Sequence, residues 1–183
     1  VEDAEDLAAD QMTDKTAAAA AAAEIEARIK NAKRPVLLVG SGTRYGAAPA
    51  RIRQAAAKYG IPILSSRAAQ DVVPDSSEYF GFIGSRATRY SNFILSKADL
   101  IIALGNRMAF PAQSKSFRPI VENAFTIRVD VDSSEFTRLV PNSVSFTADA
   151  SDVLYEMMNR DLHYAGAPAW LDVCKKLKQT LNR

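Results

Sequence analysis

The amino-acid sequence predicts an α/β fold, with a doubly wound, mainly parallel sheet of about six strands and helices on both faces of the sheet. Short apolar runs such as Val36–Val39 and Ala98–Leu104 alternate along the chain with longer segments of helical periodicity. Uninterrupted apolar runs of this length are typical of strands that are covered on both faces. Because two parallel strands need a long crossover connection, and the intervening helices supply it, the alternation favours parallel pairing.

The first part of the chain is interpreted as a linker, a helix and one β-α-β unit. Residues 1–12 are acidic and lack periodicity, which indicates a linker. Seven consecutive alanines favour a helix over residues 13–32, and the first of the apolar runs named above forms the first strand. A second helix is predicted over Ala48–Tyr59 with Gly60 as its C-cap, and a second strand over Ile61–Leu64.

The alternation continues through the rest of the chain, where strands and helices follow one another at similar spacing. The predicted elements are a helix at Thr88–Ser96 and strands at Ala98–Leu104, Phe125–Val131 and Val144–Phe146, followed by helices at Ala150–Asn159 and Pro168–Leu181. The last helix carries one apolar stripe, so we expect it to pack on another element.

Composition excludes several classes of protein. With 183 residues, 48% hydrophobic and 24% charged, the chain has the composition of a globular domain, and its formal charge of +2 is too small for a dedicated nucleic-acid binder. One Cys permits neither an intramolecular disulfide nor a thiolate-rich zinc site and favours the cytoplasm. No segment has the apolar length of a membrane span, and the acidic first residues are unlike a signal peptide.

The carboxyl ends of the strands carry the residues that are candidates for a binding site, because ligands of such sheets lie there. The first strand runs into a glycine-rich turn from Gly40 through Gly42 to Gly46. Its spacing is one residue longer than the dinucleotide fingerprint, and Ser65 and Ser66 stand where an acidic residue would hold a ribose. The turn either contacts a nucleotide or needs glycine for its backbone angles and a close helix–strand contact.

Charged residues recur at the same rim. Arg44, Arg67 and Arg107 follow three of the predicted strands, so they either clamp a pyrophosphate together or lie solvated. Asp130 and Asp132 end a fourth strand and are candidates to accept hydrogen bonds from a ribose, although helix capping explains Asp132 equally well.

No catalytic constellation is present in the sequence. His163 is the only histidine and has no acidic or Cys companion at metal spacing, and Cys174 lies on the apolar stripe of the last helix. Ser41, Ser65 and Ser66 therefore lack a histidine for a nucleophilic triad. Chemistry alone predicts a scaffold with an anion site and no reaction.

Several blocks of the chain, in order, resemble the central domain of thiamine-diphosphate-dependent enzymes of the acetolactate synthase, pyruvate oxidase and benzoylformate decarboxylase group. The blocks are Ala32–Gly42, Gly60–Ile63, Val73–Asp75, Gly81–Gly84, Tyr90–Asn92, Ala98–Arg107 and Val129–Asp132. The resemblance implies a nucleotide-fold (Rossmann-like) central domain at 13–162, preceded by the linker at 1–12 and followed by a linker and helix at 163–183 toward a further domain.

The resemblance also implies which cofactors belong to the longer enzyme. In this family, flanking domains hold the pyrimidine ring of thiamine diphosphate and, through a Gly-Asp-Gly sequence, its Mg-diphosphate. This chain has no Gly-Asp-Gly, so neither group is expected to bind here. The whole enzyme is expected to decarboxylate a 2-oxo acid, to transfer the remaining carbanion equivalent, and to form a homodimer or homotetramer.

Some members of the family also bind FAD or ADP in the central domain. Gly40, Gly42, Arg107, Asp130 and Asp132 match the positions expected to contact such a nucleotide. Against flavin, the sequence has Arg86–Ala87 where flavin-binding members have His-Gly, and Ala109–Phe110 in place of two acids. The alternative to a structural domain is therefore a module that binds FAD, ADP or CoA, and a third class, an NAD-consuming deacylase, lacks its zinc-binding cysteines.

Overall fold

A computed structural model describes residues 15–109, 122–162, 164 and 166–181. The α-helices in this part of the chain are α1 (Lys15–Ile29), α2 (Ala48–Tyr59), α3 (Arg89–Lys97), α4 (Ala150–Met158) and α5 (Ala167–Leu181). The strands are β1 (Pro35–Val39), β2 (Ile63–Ser65), β3 (Tyr79–Phe82), β4 (Leu100–Leu104), β5 (Phe125–Asp130) and β6 (Ser143–Thr147). Short 3₁₀ turns follow β1, β2 and β5.

The six strands form one sheet in the order β3-β2-β1-β4-β5-β6, and every neighbouring pair is parallel. This is the strand order of dinucleotide-binding domains, in which the chain direction across the sheet reverses between β1 and β4. The predicted doubly wound parallel sheet is therefore confirmed. Because β1 and β4 are adjacent and parallel, the loops that follow these two strands lie side by side at the carboxyl edge of the sheet.

Two hydrophobic cores lie on opposite faces of the sheet. On the first face, Leu37 and Val39 of β1 pack with α1, α2 and α4, while on the second face Val36 and Leu38 pack with α3 and α5. The alternation follows from the period of two along a strand. Since all residues of β1 and β4 are buried, both strands are apolar throughout, as their sequences predict.

Helix α5 is anchored on the second face by buried contacts. The indole nitrogen Nε1 of Trp170 donates a hydrogen bond to the carbonyl oxygen of Pro35 at 3.1 Å, and Cys174 is fully buried in the second core. The hydroxyl of Tyr164, just before the helix, donates to the carbonyl oxygen of Lys33 at 3.0 Å. The expectation that this amphipathic helix packs on another element is confirmed.

Element boundaries agree with the sequence except around β2 and β3. Gly60 ends α2 in the left-handed conformation, with φ of 64°, as predicted. The second strand covers Ile63–Ser65 instead of Ile61–Leu64, and β3 was not predicted at all. Strand β3 is a four-residue edge strand that includes Gly81 at φ 86°, so it shows neither an apolar run nor alternation.

Further predictions concern residues outside the described ranges and the absence of a membrane-spanning segment. Residues 1–12 and His163 lie outside the described residues. Within the described ranges, no helix has both the length and the hydropathy needed to cross a membrane.

Candidate functional site

The glycine-rich turn after β1 is packed directly against the loop after β4. The backbone N–H of Gly40 donates to the carbonyl oxygen of Leu104 at 2.9 Å, and that of Gly42 donates to the carbonyl oxygen of Gly105 at 3.2 Å. A Cβ atom on Gly40 would overlap the carbonyl group of Gly105, and one on Gly105, whose φ is 52°, would lie 2.9 Å from the backbone of Gly42. The glycines thus allow two backbones to touch, and the Gly42 amide is already bonded to protein.

Buried polar side chains fix the loop after β4. Asn106 is buried, and its Nδ2 donates to the carbonyl oxygen of Val39 at 3.3 Å while its Oδ1 accepts from the backbone N–H of Met108 at 3.0 Å. Met108 is fully buried with a positive φ of 51°, a conformation that is unusual for a residue with a side chain. Between these two buried residues, Arg107 is left 73% exposed.

Five charged residues come together where β4 and β5 end, and we call them the Arg107 lip. They are Arg107, Asp130, Asp132, Glu135 and Arg138. Arg107 Nε is 2.8 Å from Glu135 Oε1, and Arg138 Nη1 donates to the carbonyl oxygen of Arg107 at 3.2 Å. Asp132 caps the following 3₁₀ turn by accepting from the backbone N–H of Ser134 at 2.9 Å.

The pKa values of the two aspartates of the lip are shifted in opposite directions. Burial raises the pKa of Asp130 above its ordinary value, and the nearby carboxylates of Glu135 and Asp132 raise it further. Hydrogen bonds from Ser134 lower the pKa of Asp132, and Arg107 contributes in the same direction. Among the described residues, no cation lies within ion-pair distance of Asp130, whose Oδ1 accepts from the backbone N–H of Asp132 at 3.2 Å. Asp130 is therefore a half-buried carboxylate with unused acceptor capacity.

The other candidates from the sequence lie elsewhere or are already engaged. Arg44 forms an ion pair with Asp71 at 2.7 Å, which joins the loops after β1 and β2. Arg67 is exposed, and Ser65 is buried with its hydroxyl 2.8 Å from that of Tyr79. The structure therefore places Arg107, Asp130 and Asp132 after the ends of the neighbouring strands β4 and β5, and it engages Arg44 in an ion pair between two other loops. The remaining serine candidates, Ser41 and Ser66, have no histidine near them in the described ranges, and His163 is not among the described residues.

Sequence reasoning missed three residues that shape the lip: Asn106, Arg128 and Arg138. In the sequence, Glu135 stands only as the acidic residue three positions after Asp132, a spacing typical of a helix start. The available signal was Arg128, a charged residue inside a predicted strand. Apolar residues stand at alternate positions of this strand, at Phe125, Ile127 and Val129, which is typical of a strand whose other face is exposed. In the structure that face is covered, since Thr126 and Arg128 are both buried.

The described residues show no metal centre. In the ranges that the structure describes, no group of three or more His, Cys, Asp or Glu side chains is placed to hold a metal ion. Cys174 lies in the second core, where burial raises the pKa of its thiol to about 12.

Comparison with known proteins identifies relatives over most of the chain. The family model described as "Thiamine pyrophosphate enzyme, central domain" matches residues 22–157. The acetolactate synthase isozyme 1 large subunit of Escherichia coli K12 is 36% identical over 152 residues, which are 80% of this chain and 26% of that protein. An acetolactate synthase of Mycobacterium avium is 32% identical over 79% of this chain and 23% of its own length.

A relative with a different name matches a similar share of this chain. The protein named 3D-(3,5/4)-trihydroxycyclohexane-1,2-dione hydrolase 2 of Bacillus cereus is 31% identical over 72% of this chain and 20% of its own length. The chain thus spans about a quarter of the length of the curated relatives that it matches. These matches confirm the family resemblance predicted from the ordered sequence blocks.

The contact between the two loops gives a first prediction. We expect Gly40→Ala to lower the free energy of unfolding by about 3 kcal/mol, because the new Cβ must push the two backbones apart. Gly46→Ala is the control: nothing lies within 4 Å of its Cβ, so the substitution adds only the backbone strain of its positive φ of 63°, about 1 kcal/mol, whereas Gly40, at φ −113°, adds no such strain. Urea unfolding followed by circular dichroism measures both, and equal losses would contradict the role given to Gly40.

The electrostatics of the lip give a second prediction, for Asp130→Asn. A folded-state pKa above the unfolded value means that protonated Asp130 stabilises the fold below the ordinary carboxyl pKa of about 3.9, and that this contribution is lost as the pH rises through the folded value. The neutral Asn keeps it, so the variant should be more stable than the wild type near pH 7, with the gap closing on acidification.

Asp132→Asn provides the control with the opposite sign. Its folded-state pKa is lowered, so the wild-type carboxylate stabilises the fold above the unfolded pKa and loses that effect in acid. This variant should therefore be less stable than the wild type near pH 7. Urea unfolding at a series of pH values measures both variants, and the same sign for both substitutions would refute the assignment.

Proposed function

The chain belongs to the family of thiamine pyrophosphate enzyme central domains, and from that premise we propose that it is the middle domain of an acetolactate-synthase-like enzyme. The observation that carries the proposal is the family match over residues 22–157, in a chain that spans about a quarter of its relatives' length. The whole enzyme would decarboxylate a 2-oxo acid and transfer the remaining carbanion equivalent to an acceptor. The chain's own role would be to bridge the domains that hold the cofactor.

We propose the same domain division that the sequence suggests. Residues 13–162 are the central nucleotide-fold domain, 1–12 a linker from a preceding domain, and 163–183 a linker and helix toward a following one. The packing of Trp170 and Cys174 supports the last part of this division, because a helix docked in the second core would fix the direction in which a following domain starts. We propose that the whole protein forms a homodimer or homotetramer, as the family resemblance implies, and that it lies in the cytoplasm, with which the single buried thiol is consistent.

The family implies thiamine diphosphate in the longer protein, and the residues of this chain do not fit that cofactor. The sequence has no Gly-Asp-Gly, and the described residues include no group of three or more His, Cys, Asp or Glu side chains placed to hold a metal ion. The free carboxylate of the lip, Asp130, has a raised pKa, which disfavours its ionised form. We therefore assign the Mg-diphosphate and the pyrimidine ring to the flanking domains and derive no step of the reaction from this chain.

A second candidate function is the binding of an adenine nucleotide, as FAD, ADP or CoA. Two observations favour it: Arg107 is 73% exposed at the edge of the sheet where ligands bind, and Asp130, at the end of the neighbouring strand, has free acceptor capacity. A guanidinium suits a phosphate, and a carboxylate suits ribose hydroxyls. Gly42 would contribute only space, because its amide is bonded to Gly105.

Calorimetric titration of the chain with thiamine diphosphate and Mg²⁺ tests the first proposal. We expect no binding heat beyond that of Mg²⁺ titrated alone, since the groups that hold the cofactor lie in other domains. Saturable binding at micromolar concentration would show that the chain is more than a bridging domain.

Thermal unfolding in millimolar ADP, FAD or CoA tests the second proposal. A ligand at about 100 times its Kd adds about 2.7 kcal/mol to the stability of the folded state, which raises the midpoint by several degrees. Arg107→Gln should abolish the rise, whereas Arg44→Gln, in which the substituted residue pairs with Asp71, should keep it. If none of the three compounds shifts the wild-type midpoint, the chain acts as a structural bridge alone.

A further inference from the structure

One strand of the sheet breaks the apolar pattern of the second face. Inward positions on this face of β1 and β4 are occupied by Val36, Leu38, Ile101 and Ala103. The corresponding positions of β5 are Thr126, Arg128 and Asp130, and Arg128 pairs in register with Ala103 of β4. A polar row in this place is unexpected in a sheet covered on both faces, because each buried polar group must find partners.

Among the described residues, no carboxylate pairs with the buried guanidinium of Arg128. It is 3% exposed, and burial lowers its pKa. Within the described part of the chain, its Nε has no hydrogen-bond partner, nor does Thr126 Oγ1 two residues earlier. Replacing a buried charged group by an apolar side chain of similar volume is often neutral or stabilising, so this arginine is poorly explained by stability.

The contacts that Arg128 does make all lead to one turn. Its Nη2 donates to the carbonyl oxygen of Glu135 at 2.6 Å, and its Nη1 donates to that of Arg138 at 3.0 Å. Its guanidinium carbon lies 5.1 Å from the ring centroid of Phe136, which sits between these two residues. A planar guanidinium with two donors in fixed directions therefore holds two points of the segment from Glu135 to Arg138.

The same segment holds Arg107. The Glu135 carboxylate pairs with Arg107 Nε at 2.8 Å, and Arg138 Nη1 donates to the Arg107 carbonyl oxygen at 3.2 Å. Asp130 follows Arg128 on the same face of β5, so its place is set by the same strand. The positions of Arg107 and Asp130, the two charged groups of the candidate nucleotide site, are thus both linked to the buried side chain of Arg128.

We propose that Arg128 is a positioning residue of the Arg107 lip: from beneath the turn, it fixes Glu135 and Arg138 and so sets Arg107 relative to Asp130. The proposal deepens the second candidate function and rests on it for the ligand, whose diphosphate would meet Arg107 and whose ribose would meet Asp130. Arg128 itself touches neither. The order of the turn, in contrast, depends on Arg128 whether or not a ligand binds.

The experiment compares the wild-type chain with Arg128→Met, Arg128→Lys and Arg160→Met. Arg160 is a control on the first face: its Nε is also buried without a partner among the described residues, and its Nη2 also donates to a backbone carbonyl, that of Ala19 at 3.3 Å, but its Nη1 is paired with Glu26 Oε2 at 3.0 Å. Hydrogen exchange by mass spectrometry reports the protection of residues 133–138, and calorimetry reports the Kd for ADP. Urea unfolding measures the stability of each variant.

We expect Arg128→Met to keep a urea midpoint close to that of the wild type, to speed exchange in residues 133–138 at least tenfold, and to raise the Kd for ADP at least tenfold. Arg128→Lys retains a donor that reaches the carbonyl groups, so it should restore both readouts to within about threefold of the wild type. Arg160→Met should leave both unchanged.

Each outcome bears on a different statement. Unchanged exchange in residues 133–138 of Arg128→Met would overturn the proposal, and so would faster exchange together with an unchanged Kd. If the wild-type chain does not bind ADP, the nucleotide function fails for this ligand. Exchange in the methionine and lysine variants then still decides whether Arg128 orders the turn.

Discussion

The contact between the loops after β1 and β4 is the constraint on which the carboxyl edge of this domain depends. In a sheet of order 3-2-1-4-5-6 these two loops leave adjacent strands, and the chain has to turn in opposite directions along the sheet. Here Gly40 and Gly42 pack against Gly105 backbone to backbone: a Cβ on Gly40 would overlap the carbonyl group of Gly105, and a Cβ on Gly42 would lie 3.0 Å from the Gly105 Cα. The crevice in which such folds commonly admit a ligand is thus partly closed by the protein itself.

This closure moves the available chemistry toward β5. With the Gly42 amide bonded to Gly105, the turn after β1 offers no free donor at that atom for a phosphate. Asn106 and Met108, both buried, hold the loop after β4, while Arg107 between them faces outward. The exposed cation of Arg107 therefore lies one strand away from the glycine turn, and the half-buried carboxylate of Asp130 lies two strands away.

How much of this was predictable from the sequence depends on whether the signal is local. Apolar runs reveal β1 and β4 because both strands are buried on both faces, and Gly60 marks the end of α2 because a left-handed residue is needed there. The lip was anticipated in Arg107, Asp130 and Asp132, since residues directly after parallel strands meet at one edge.

What the sequence could not reveal depends on long-range packing. Strand β3 is stabilised by its pairing with β2 and by the core beneath it, not by a pattern of its own. Arg128 looks like an outward residue of an alternating strand, and its burial is decided by a turn that returns over the strand from residues 133–138. Asp130 of the lip and Arg128 beneath it accordingly cost the fold stability, because both groups are desolvated and burial shifts each toward its neutral form. Apolar residues at these positions would avoid this cost, and the proposed nucleotide site would account for it, because the same charges would then serve a polar group from outside the domain.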